Sequence, residues 1–155
     1  MALNEQELVT FIVEAKLNSY VGDGKVCASC RKGSHDIGFE KNQWSYLDSY
    51  FGGTDFIGQE VVWNFNNPVW AMNYYGRILA PELINAEKAG TAIKTALSEM
   101  YRSGRFLGGF KKKTIHGYYI DHSTGDVASF SGVEKILVED VVAYQLDYAG
   151  GLVVP

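Results

Sequence analysis

The sequence predicts a single α+β domain over residues 1–155, with an antiparallel sheet of about five to six strands and two main helices on one face. Three observations carry that prediction. Two segments place apolar residues at the 3.6-residue spacing of a half-buried helix. Several others are rich in aromatic and β-branched residues and read as strands. Short Gly- and Asn-bearing turns join those strands, and turns that short imply antiparallel pairing.

The first helix opens at Asn4, with Glu7 three residues on in capping-box spacing. Leu8, Phe11, Ile12 and Ala15 give it one apolar stripe, and it ends near Tyr20, before Gly22 and Gly24. Residues 21–35, "VGDGKVCASCRKGSH", are polar and glycine-bearing and read as a loop. "QWSYLDSYF", "FIGQEVVWNF" and "VWAMNYYGRI" are strand-like, with turns at Gly52-Gly53 and Asn66-Asn67-Pro68.

Pro81 suits the first turn of a second helix, whose stripe is Ile93, Leu97, Met100 and Tyr101 and whose stop is Gly104. Gly90 within it costs about 1 kcal/mol relative to Ala. "KTIHGYYID", "VASF" and "VVAYQLDY" follow as strands, with "HSTGD" (122–126) as a hairpin turn, so the order is helix, three strands, helix, three strands. "LDSYFGG" (47–53) and "LDYAGG" (146–151) look alike, but the match is short and is read as coincidence.

A hairpin centred on Asn66-Asn67 places Trp63 opposite Trp70, Val61 opposite Met72, and Gln59 opposite Tyr74 as a packing face. The other face then carries Glu60 directly opposite Asn73, between small Ala71 and large Tyr75. Apolar walls around a few placed polar groups are the usual make-up of a pocket. Asp48 joins Glu60 if the preceding hairpin loop has an odd number of residues, which the sequence leaves open; two close carboxylates would form an acid–base pair.

"SHD" (34–36) puts His35 beside Asp36 just ahead of the strands, a pH-sensitive combination. Cys27 and Cys30 have C-x-x-C spacing, but no second pair exists and His35, His116 and His122 are scattered, so free thiols are expected and no metal. The glycine pairs lack the Gly-Lys-Ser/Thr ending of a phosphate loop, and no serine nucleophile elbow occurs.

Hydrophobic residues make up 46% and charged residues 21%, as in soluble globular proteins. The net charge of −4 gives no field for a phosphate backbone, and Lys111–Lys113 reads as a solvated edge strand. No stretch reaches the roughly 18 apolar residues of a membrane span, and the first residues lack the basic and apolar regions of a signal peptide, so a cytoplasmic location is expected.

At "SHD", "YLDSYFGG", "GQEVVW" and "PVWAMNYYGRIL" the chain resembles a bacterial family known as domain of unknown function 5680. In that family the module stands alone or beside helix-turn-helix regulators, which implies a ligand-sensing or interaction role. The family's motif residues fall on His35, Asp36, Asp48, Glu60, Trp63, Trp70, Asn73 and Tyr75. The domain fills the chain, so direct nucleic-acid binding is not expected.

Together these readings give a small-molecule-binding or sensing module without a cofactor. Glu60 and Asn73 would supply hydrogen bonds, Tyr75 an aromatic wall, and His35-Asp36 would close the site from the loop, with Asp48 nearby. Two rival readings are a protein–protein interaction module and a hydrolase or isomerase using Glu60 or His35 as base.

Overall fold

A computed structural model describes residues 3–21 and 24–155. Helix α1 (Glu5–Lys16) runs into a π-helical turn (Leu17–Val21), followed by strands β1 (Lys25–Cys27), β2 (His35–Lys41), β3 (Trp44–Gly52), β4 (Phe56–Asn64) and β5 (Asn67–Ile78). Helix α2 (Ala86–Arg102) then precedes β6 (Phe110–Thr114), β7 (Gly117–Asp126), β8 (Ser129–Val138) and β9 (Val141–Leu152). The nine strands among the described residues form one antiparallel sheet in the order β1-β2-β3-β4-β5-β9-β8-β7-β6. The class is the expected α+β, but the sheet is larger than the predicted five to six strands. No helix among the described residues is long and apolar enough to cross a membrane.

Asn4 caps the helix as expected, its Oδ1 accepting from the Gln6 and Glu7 amides, but the capping box is only half made: Glu7 Oε1 accepts from the Asn4 side-chain Nδ2 at 3.1 Å and not from its backbone amide. Leu8, Phe11, Ile12 and Ala15 are buried along one stripe. Helix α2 begins later than Pro81 suggests. Asn85 is its cap, accepting from the Lys88 amide at 2.9 Å, and Pro81 lies in the turn before it.

The missed strands have identifiable causes. β1 and the start of β2 fall inside the polar 21–35 segment, because an edge strand needs no apolar alternation. "HSTGD" is the end of β7 rather than a turn; the chain reverses at Val127-Ala128, between the paired Asp126 and Ser129. The β8–β9 turn falls at Glu139-Asp140, with φ of 50° and 63°, the left-handed pair of a type I′ hairpin.

The β4–β5 register also differs from the expectation. The turn is Phe65-Asn66, with Asn64 paired to Asn67, and an irregularity at Val62/Trp63 shifts the remainder. Val62 therefore lies opposite Trp70, Glu60 opposite Met72, Gln59 opposite Asn73, and Gly58 opposite Tyr74. Glu60 and Asn73 point to opposite faces of the sheet, because neighbouring register positions alternate.

The sheet and helices form two matching halves. α1 with β2–β5 and α2 with β6–β9 share one connectivity, and the strand order is symmetric about the β5–β9 pair once β1 is set aside. The sequences match too: "YLD" (46–48) and "FIGQE" (56–60) in the first half answer to "YID" (119–121) and "FSGVE" (130–134) in the second. Tyr74 and Tyr148 are also equivalent, and they sit directly opposite each other on β5 and β9. The core lies on the sheet face that carries these residues, where Leu8, Ile12, Trp70, Tyr119, Ile136 and Tyr144 are almost fully enclosed.

Candidate functional site

Between that face of the sheet and the two helices lies a cavity of about 650 Å³. Four carboxylates line it: Asp48, Glu60, Asp121 and Glu134, each at least nine-tenths buried. They come in two cross-strand pairs, Asp48 opposite Glu60 and Asp121 opposite Glu134, one in each half. The first pair forms because the β3–β4 loop is Gly53-Thr54-Asp55, the odd loop that the sequence left open.

In both halves a tyrosine reaches across a glycine to the aspartate. Tyr74 passes over Gly58 and donates to Asp48 Oδ1 at 2.5 Å, while Tyr148 passes over Gly132 and donates to Asp121 Oδ1 at 2.7 Å. The glycines make room for this: a Cβ on Gly58 would stand 2.5 Å from the Tyr74 hydroxyl, and one on Gly132 would stand 2.2 Å from Tyr148 Cζ.

The glutamates are held differently. Glu60 Oε2 takes an ion pair from Lys16 Nζ at 2.5 Å, with both side chains buried. The same ammonium lies 5.9 Å from the Tyr101 ring centroid and 5.7 Å from that of Phe106, within cation–π range. Glu134 has two phenol donors instead, Tyr119 at 2.5 Å and Tyr144 at 3.0 Å. Burial pushes both of those phenols well above their ordinary range, so they remain protonated donors.

Burial also dominates the carboxylates. It pushes Asp48 up to about 7, with the Glu60 charge adding to it and the Tyr74 hydrogen bond and Lys16 opposing. Glu134 is likewise pushed up to about 7, mainly by burial, against the hydrogen bond from Tyr119. Asp121 is raised by burial, and the Tyr148 hydrogen bond opposes it. At neutral pH, Asp48 and Glu134 can each hold or release a proton, and either change is felt strongly where both carboxyls are buried.

Three of the residues singled out from the sequence meet here. Asp48 and Glu60 lie on the cavity floor, and His35 stands at its exposed rim, its ring centroid 5.1 Å from that of Tyr50. Asp36 does not join them, because successive strand residues face opposite ways. It is buried on the other face, accepting from the Cys30 amide and the Ser49 hydroxyl, both at 2.8 Å. Burial would raise its carboxyl, but the Cys30, Ser34 and Ser49 hydrogen bonds outweigh that and hold it below the usual carboxylate range. Asp36 thus ties down the loop before β2 and does not close the cavity.

Asn73 and Tyr75 also lie on the far face. Asn73 is exposed and accepts a hydrogen bond from Gln59 Nε2 at 2.9 Å. Tyr75 is 41% exposed beneath the Arg77 guanidinium, which itself pairs with Asp147 at 2.8 Å. Trp70 is core, stacked on Phe130. Cys27 and Cys30 are free thiols, with no disulfide between them despite their C-x-x-C spacing.

Lys16, Asp121, Glu134, Tyr74 and Tyr148 went unrecognised in the sequence. The signal that could have found four of them is the repeat Tyr-(Leu/Ile)-Asp, Phe-x-Gly-x-Glu and Tyr-x-Gly, spaced almost identically in the two halves. The short "LDSYFGG"/"LDYAGG" likeness is a different alignment, joining β3 to β9, which are not equivalent strands.

The family described as Domain of unknown function (DUF5680) matches residues 48–153, and the chain belongs to that family. The match takes in all four cavity carboxylates and both bridging tyrosines, whereas Lys16 and His35 lie before it. No curated protein and no solved structure matches the chain.

Proposed function

We propose that this member of the family binds a small organic molecule in the cavity between its helices and its sheet, and serves as a sensing or carrier module. The observation that carries the reading is the cavity itself. About 650 Å³ falls within the range of small-molecule sites, and its walls combine tyrosine and aliphatic surface with four placed acids. The ligand would rest on Asp48, Glu60, Asp121 and Glu134, with His35 and Tyr50 at the rim, rather than on Asn73 and Tyr75.

Native mass spectrometry after incubation with a metabolite extract of the expression host tests this. A discrete adduct is expected on the protein and on Asn73→Ala, whose change lies on the far face. A bulky residue in the cavity wall, Gly90→Trp, should abolish the adduct while circular dichroism stays native. An adduct equally strong on a folded Gly90→Trp protein would place the ligand elsewhere.

A second reading is favoured by the carboxyls poised near neutrality. An acid–base enzyme would use Asp48 or Glu134, in place of Glu60 or His35. Turnover of the captured compound, with a bell-shaped pH profile lost in Asp48→Asn, would separate that reading from simple binding.

A further inference from the structure

The two halves of the cavity are matched in acids but not in bases. Glu60 has Lys16. Counted from the Asn4 and Asn85 caps, the position of Lys16 on α1 is taken on α2 by Leu97, which also lines the cavity. Neither Asp121 nor Glu134 has a basic side chain within ion-pair distance among the described residues. The Arg105 guanidinium nearby is turned to the carbonyls of Leu107 and Gly109, and Lys94, on the cavity side of α2, is exposed and within ion-pair distance of neither acid.

One acid in this half is also incompletely bonded. Asp121 is 4% exposed, Tyr148 satisfies its Oδ1, and its Oδ2 has no hydrogen-bond partner among the described residues. A buried carboxylate oxygen without a donor keeps its full desolvation penalty, so such a group calls for a partner.

We propose that the Asp121–Glu134 end of the cavity is the seat of an organic cation: a protonated amine or guanidinium carried on an apolar body. The proposal rests on the reading that the cavity binds a small molecule, and it names the chemical class. Lys16 is the internal example of the mode, an ammonium held between a carboxylate and the faces of Tyr101 and Phe106. In the second half the carboxylates are present, and Tyr144 and Tyr148 supply aromatic wall, but the ammonium must come from outside.

Other ligand classes fit less well. An anion would enter among four carboxylates and a single buried ammonium. A bare metal ion is not suited either, since no three acids, histidines or cysteines gather as a ligand set among the described residues. A neutral polyol could donate to Asp121 Oδ2, but it would leave the buried charge uncompensated.

The test splits the host metabolite extract on ion-exchange resins into cationic, neutral and anionic pools. Each pool is then offered to the full chain and read by native mass spectrometry and thermal unfolding. The expected result is an adduct and a raised melting temperature from the cationic pool alone. Affinity for the compound so captured should fall at least tenfold in Asp121→Asn, an isostere that still accepts from Tyr148, and further with Glu134→Gln added.

Capture from the neutral or anionic pool alone overturns the cation assignment and leaves the binding cavity standing. Cationic capture that a folded Asp121→Asn protein retains in full overturns the placement at this end. No capture from any pool overturns the binding reading itself, and the cation assignment with it. The single Asp121→Asn variant, the gentler change, decides the matter if the double variant does not fold.

Discussion

Tyr74 and Tyr148 face each other across the β5–β9 pair, and each turns away to bond an aspartate two strands off, Asp48 at 2.5 Å and Asp121 at 2.7 Å. The symmetry of the two halves passes between these two rings. The reach of each phenol depends on the missing side chain of the glycine beneath it.

Gly58→Ala and Gly132→Ala should therefore each destabilise the fold by about 1–3 kcal/mol, the usual cost of overpacking. The added methyl falls against side-chain atoms, 2.5 Å from the Tyr74 hydroxyl and 2.2 Å from the Tyr148 ring. Urea denaturation of the two variants measures this. Wild-type midpoints for both would mean that the phenols are not held in these positions.

Lys16→Met should cost about 3–5 kcal/mol, because it leaves Glu60 buried without its cation. Adding Glu60→Leu should recover most of that loss, since an apolar pair of similar volume often matches a buried ion pair. A double variant no more stable than Lys16→Met would show that the ammonium acts mainly through other neighbours.

The pH dependence should run opposite to that of most proteins. Asp48 and Glu134 ionise near 4 when unfolded, but burial raises both to about 7 in the fold, so the native state holds more protons between those values. Their stabilisation is full below about pH 4 and is lost as pH rises to about 7. The ligand-free protein should melt several degrees lower at pH 8 than at pH 5. Asp48→Asn and Glu134→Gln should each flatten part of that slope, and an unchanged slope in both would assign it to other groups.

Gly90 lies inside α2, facing space in which an added Cβ meets nothing within 4 Å. Gly90→Ala should thus raise stability by up to about 1 kcal/mol through helix propensity alone. A loss of stability in thermal unfolding would indicate that the helix is distorted at this point.

Asn73→Ala and Tyr75→Ala should leave ligand capture unchanged and shift stability by less than about 1 kcal/mol, as for other surface changes. Both side chains lie on the face away from the cavity. A tenfold loss of affinity in either variant would return the site to that face.

The sequence by itself determined the class of the fold, the Asn4-capped first helix, the stripe of the second, and most strand centres. These are local properties: a cap lies within three residues of the amide it serves, and periodicity shows within one element. It also pointed to Asp48 and Glu60, which do lie in the cavity. Only the tertiary structure decided which face they share. One bulge at Val62/Trp63 and a turn centred one residue early move Asn73 and Tyr75 to the opposite side, because strand side chains alternate with a period of two. The partnership of Asp48 with Glu60, of Asp121 with Glu134, and of both pairs around one cavity joins residues far apart in the chain. Strand pairing sets those meetings, and no local pattern encodes them.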